Sequence, residues 1–133
     1  MQMTLIVALV LHVLSGVFWA GTTFALARTA GNQADLFFRP QMGAAAVAVA
    51  TGGLLWYYLH HASLGTPGHL LAIGALSAFL ALGMQGIVGA PALSKLSALG
   101  ESEGLRHRVA RSQRIAAVLL VITVTCMAAA RYA

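Results

Sequence analysis

Five histidines, five methionines and one cysteine are the residues of this chain best suited to hold a metal or move a proton. His12 stands apart because it interrupts a long apolar run. An imidazole in such a run can ligate haem iron or copper, relay a proton, or hydrogen-bond to a neighbouring element. At spacings of three and four residues it shares a helical face with Ala8, Ser15, Gly16, Trp19, Thr22 and Thr23. That stripe is small and polar, whereas Ile6, Val10, Val13, Val17 and Phe24 occupy the other faces. Small and hydroxyl side chains mark helix–helix contact in lipid. His12 is therefore expected to point inward, about 12 Å along the helix from residue 4.

A flat macrocycle between helices needs faces that carry no side chain. Gly16, Gly52, Gly53, Gly74 and Gly83 offer such faces in three different apolar runs. A depth count at about 1.5 Å per residue puts Gly74 and Met127 near the level of His12, which makes Met127 a candidate second axial ligand. The candidate cofactor site is thus His12, Ser15, Gly16, Trp19, Gly74 and Met127, with haem b as the group. A second candidate, for copper, is His12 with His60, His61 and His69, the last three flanking an uncharged loop. Met1 and Met3 belong to the same end, and thioethers favour Cu(I). The competing readings are plain: a packing histidine in the run, and boundary histidines around the loop. His107 lies among arginines and reads as solvated.

The elements that must position these residues follow from composition. Of 133 residues, 59% are apolar and 8% charged, against about 25% charged in a soluble domain. So short a chain cannot hide that much apolar surface in its own core. The expected fold is all-α: an integral membrane four-helix bundle forming a single domain. Its spans are expected at about 4–27, 42–60, 69–90 and 113–131, each close to the 17–25 residues that cross about 30 Å of hydrocarbon. The first run lacks a basic lead and is too long for a signal peptide, so it is expected to be retained as a span. Pro40 suits a first helical turn, and the third span is expected to end before Pro91. The segment 91–112 is a basic loop, with Glu103 spaced to pair along a helix with Arg106 and His107.

Lys and Arg set the orientation. Arg28 and Arg39 lie between the first two runs; Lys95, Arg106, Arg108, Arg111 and Arg114 lie between the last two. Basic loops stay cytoplasmic, so both termini are expected on the outer, periplasmic side. Trp56, Tyr57 and Tyr58 would form an outer aromatic belt, with Phe37 and Phe38 near the inner interface. The basic loop face suits anionic headgroups, and the net charge of +5 reflects topology rather than nucleic-acid binding. The expected setting is the bacterial inner membrane, with the lipid bilayer as partner and a homo-oligomer or larger membrane complex as further possibilities.

Absences narrow the chemistry. No Asp or Glu interrupts an apolar run, and nothing resembles a nucleophile–base pair, a phosphate loop or paired carboxylates. Cys126 is alone, so neither an internal disulfide nor a CxxC site exists. Gln85, Ser15, Ser77, Thr22, Thr23, Thr51 and Thr123 are the other polar groups in the spans, and most can bond back to their own helix. A faint repeat is present: Leu14-Ser15-Gly16 with Gly21 is echoed by Leu76-Ser77-Ala78 with Gly83. It implies two parallel helix hairpins in which His12 corresponds to Gly74.

The segment 11–21, with His12, Trp19 and Gly21, resembles the first helix of the copper resistance protein D (CopD)-like proteins and of the HemJ-type protoporphyrinogen oxidases. The resemblance covers one helix and implies a membrane bundle that handles haem or copper. HemJ-type proteins also use a lysine in a later span; here the only lysine is Lys95, outside the apolar runs. Three functions follow as expectations. The first is a small b-type haem protein for electron transfer. The second is a copper-handling protein, and the third is an accessory subunit of a larger complex.

Overall fold

The computed structural model describes residues 1–29, 33–59, 65–100 and 102–133. They form helices α1 (Gln2–Arg28), α2 (Ala34–Leu59) and α3 (Thr66–Gly83), a π-helical turn (Met84–Gly89), α4 (Ala90–Leu99) and α5 (Glu103–Ala130). No strand occurs among the described residues. The turn and α4 continue α3, so four long apolar helices result, of 27, 26, 34 and 28 residues. All four are long and apolar enough to cross a bilayer.

Two helices run further than the apolar runs foretell. α2 begins at Ala34, with Asp35 in its first turn, so Pro40 lies inside the helix rather than at its start. An acidic side chain at a helix N-terminus offsets the dipole there, which lets the helix start among polar residues. The third helix does not stop at Pro91. The amide of Ala90 reaches back five residues to the carbonyl of Gln85. This wider winding precedes the proline, whose ring would otherwise crowd the carbonyl four residues back. α4 ends at Gly100, whose φ of 80° suits a residue without Cβ. α5 then starts at Glu103, which makes the basic segment helical on both sides of this turn.

The interior is built mostly of alanine. Ala45, Ala48, Ala78, Ala81 and Ala116 surround Trp19 and Leu120 in the main cluster. A second cluster, Leu26, Ala34, Ala92 and Val109, closes the basic end. Small side chains let helix backbones approach closely. Conversely, Ile6, Val10, Val13, Val17 and Phe24 of α1 are exposed, while Ala8, Trp19 and Thr23 on the polar stripe are buried. The apolar surplus is thus on the outside and the small-polar stripe inside.

Packing follows the repeat. α1 lies along α2, and α3 lies along α5. Thr23 and Gln85, which share the offset of His12 and Gly74, hydrogen-bond to each other across 62 residues. Gln41 and Gln113 exchange two hydrogen bonds across 72 residues. Reciprocal contact between corresponding residues is the mark of a twofold axis. The two hairpins therefore meet about a pseudo-twofold that passes through these side chains.

Candidate functional site

Two polar places interrupt the alanine interior. The first lies on the pseudo-twofold. Thr23, Gln41, Gln85 and Gln113 are each 0% exposed and come from α1, α2, the π-helical turn and α5. The Trp19 indole N–H donates to Gln85 Oε1 at 2.7 Å. Gln85 Nε2 donates to Thr23 Oγ1 at 2.9 Å and to Gln113 Oε1 at 3.0 Å. Gln41 Nε2 makes the matching pair of bonds, to Thr23 Oγ1 at 2.9 Å and Gln113 Oε1 at 3.1 Å. Gln113 Nε2 returns a bond to Gln41 Oε1 at 3.2 Å. The Thr23 hydroxyl proton goes to the Trp19 carbonyl at 2.7 Å. Both donors of Gln41 and Gln85 are thus used. Every buried side-chain N or O among the described residues has a partner. A saturated amide network has little left to offer a ligand. Its chemistry is to hold four helices in one register, because breaking any member leaves a buried polar group unpaired.

The second place is His12, about 10 Å away along α1 from Trp19. Its Nδ1 lies 2.8 Å from the Ala48 carbonyl and 3.3 Å from Thr51 Oγ1. A carbonyl only accepts, so Nδ1 carries the proton. The Thr51 hydroxyl proton is already given to the Val47 carbonyl at 2.6 Å, which leaves its oxygen free to accept from Nδ1. In the neutral ring Nε2 then holds the lone pair, and Nε2 makes no hydrogen bond among the described residues. The ring lies directly over Gly52: a Cβ there would stand 2.9 Å from His12 Cε1. Gly16, one turn along α1, and Gly53 face open space. A half-buried imidazole pinned through Nδ1 to a carbonyl, with Nε2 open, is the arrangement that orients a histidine metal ligand.

The other expected site residues are distributed as follows. Ser15 bonds back to the carbonyl of Leu11 at 2.6 Å and Thr22 to that of Phe18 at 2.8 Å. The hydroxyls of Thr23, Thr51 and Thr123 do likewise. Trp19 belongs to the glutamine network. Gly74 and Met127 meet each other across the α3–α5 contact: a Cβ on Gly74 would stand 3.4 Å from Met127 Cγ and from Cys126 Cβ. That contact is closed, and it is further tied by Thr123 Oγ1 donating to the Gly74 carbonyl at 3.0 Å. His69 caps its own helix through the Gly65 carbonyl at 3.0 Å. His60 and His61 lie outside the described residues. Among the described residues no group of three His, Cys, Asp or Glu side chains converges as a metal site.

Gln41 and Gln113 are the site residues that the sequence reading passed over. Each lies just beyond the end of an apolar run, Gln41 after Pro40 and Gln113 among arginines. A helical spacing was available as a signal: Gln41 is in line with Ala45 and Ala48, and Gln113 with Ala116 and Leu120, all of them buried.

A haem fits one side of this arrangement. His12 can supply an axial nitrogen through Nε2, and the open faces of Gly16 and Gly53 leave room for a planar ring. No family model matches this chain, and neither a curated protein nor a solved structure matches it.

Proposed function

We propose that the chain is a multi-pass protein of the bacterial inner membrane, with both termini outward, in which His12 binds a b-type haem for electron transfer. The observation that carries this reading is the fixed tautomer of His12. The Ala48 carbonyl holds the proton on Nδ1, and Nε2 is left as the free nitrogen. The haem would supply one-electron chemistry. The chain's own residues do the positioning. Ala48 and Thr51 orient the ring, and Gly52 lets it lie against α2. Exposed apolar side chains on all four helices support burial in lipid. The basic residues around α4 and the start of α5 support a cytoplasmic placement of that end.

The test is an oxidised-minus-reduced spectrum of protein purified from haem-supplied cells. A Soret band is expected in the wild type and absent in His12→Ala. Gly52→Ala, which must push the ring aside, is expected to lower haem occupancy by about tenfold or more, because a ring moved by an ångström no longer presents Nε2 correctly. A colourless wild-type preparation, with helix content intact, overturns the reading.

A further inference from the structure

We infer that a groove at the basic end of the bundle binds an anionic phospholipid; this rests on the membrane placement proposed above but not on haem. The groove has a volume of about 440 Å³ and lies between the π-helical turn, α4 and α5. Its inner walls are Met84, Ile87, Val88, Pro91 and Ile115, and its cations are Lys95, Arg108 and Arg111. Both walls are graded the same way. On one side Lys95 lies about 12 Å beyond Ile87, and on the other Arg108 lies about 10 Å from Ile115 (1.5 Å per residue). The occupant must therefore be anionic at the loop end and apolar toward the middle of the bundle.

A phospholipid has that gradient in one molecule, with its phosphate about one headgroup away from its acyl chains. Among the described residues no carboxylate lines the groove, so the three cations have nothing in it to neutralise them. Basic clefts between helices at the cytoplasmic face are suited to such headgroups. The π-helical turn contributes directly. Gln85 is fully buried in the network, while Ile87 and Val88 in the same turn are exposed. The turn thus presents an apolar wall to the cleft while holding its polar side chain inside. The other groove at this end, lined by Asp35 and Arg39 together, has mixed charge and lacks that gradient.

The experiment uses the full chain in nanodiscs containing equal amounts of phosphatidylcholine and phosphatidylglycerol, with retained lipid counted by native mass spectrometry. The wild type is expected to retain phosphatidylglycerol in preference. The triple variant Lys95→Gln, Arg108→Gln, Arg111→Gln is expected to lose that preference by more than about tenfold, and Arg111→Gln alone by about fivefold. The equal-charge control Arg28→Gln, Arg39→Gln, Arg114→Gln is expected to keep it. Added inorganic phosphate is expected not to displace the lipid. Four outcomes overturn the inference: no preference in the wild type, equal loss in the control, displacement by phosphate alone, or an acidic protein in place of lipid. Carbonate extraction of native membranes separates the two levels. A chain that washes off ends both proposals, whereas a chain that stays but shows no lipid preference ends this one alone.

Discussion

At corresponding places in the two hairpins the molecule makes opposite choices. In the first, His12 of α1 lies over Gly52 of α2, with the imidazole filling the contact and Nε2 left open. In the second, the glycine is on the other partner: Gly74 of α3 receives Cys126 and Met127 of α5, and nothing is left open. Even the threonines correspond. Thr51 accepts from His12 in one hairpin, and Thr123 donates to the Gly74 carbonyl in the other. The pseudo-twofold is therefore close where the glutamines meet and broken where the histidine lies. A shared frame that is saturated at its axis can carry one asymmetric site without losing its register.

The sharpest way to break the comparison is to force the histidine into the second hairpin. Gly74→His would drive a ring into the Thr123 carbonyl, 3.2 Å from the Cβ position, and into Met127. It is expected to destabilise the bundle by about 3 kcal/mol or more, as overpacking does, in denaturant unfolding from detergent micelles. A smaller loss, with a second ligand site gained, would mean that the two hairpins are interchangeable. Next comes the axis. Gln113→Ala strips Gln41 Oε1 of its donor and is expected to cost about 2–3 kcal/mol. Replacing Gln41, Gln85 and Gln113 together by leucine is expected to cost less than the sum of the three single changes, because partners leave together. Additive losses would show that the amides act independently. The smallest effect belongs to Thr51→Val, which removes only the 3.3 Å contact to His12. It is expected to change stability by less than about 1 kcal/mol while shifting the haem spectrum, and a stability loss without a spectral change would count against Thr51 as an orienting residue.

How much of this was legible in the sequence depends on the kind of pattern. The four helices and the buried face of α1 are written in local periodicity, and Ala8, Trp19 and Thr23 are buried as that face requires. The helix ends were harder. Apolar runs stop at the first polar residue, but helices continue wherever a dipole, a π-helical turn or a packed partner supports them, as at Asp35 and Pro91. The glutamine network was hidden for the same reason. A buried amide is stable only when its partners from other helices arrive, and spacing within one helix does not reveal them. Similarly, depth counting put Met127 at the level of His12, but level is not adjacency: rotation about α5 turns Met127 toward Gly74.

The π-helical turn can also be read as a single-residue insertion. In α1 burial passes from Thr23 to Leu26, whereas in the corresponding helix it passes from Gln85 to Gly89, one residue later than the repeat would put it. Val88, the counterpart of Leu26 by offset, is left exposed. The two hairpins keep common time up to the glutamines and lose it there. Each residue of offset rotates a helix by about 100°, so everything beyond Gly89 faces a direction that α1 never offers. Lys95 owes its place on the groove to that lost step, and the basic end is free to differ from its twin while the axis above it stays matched.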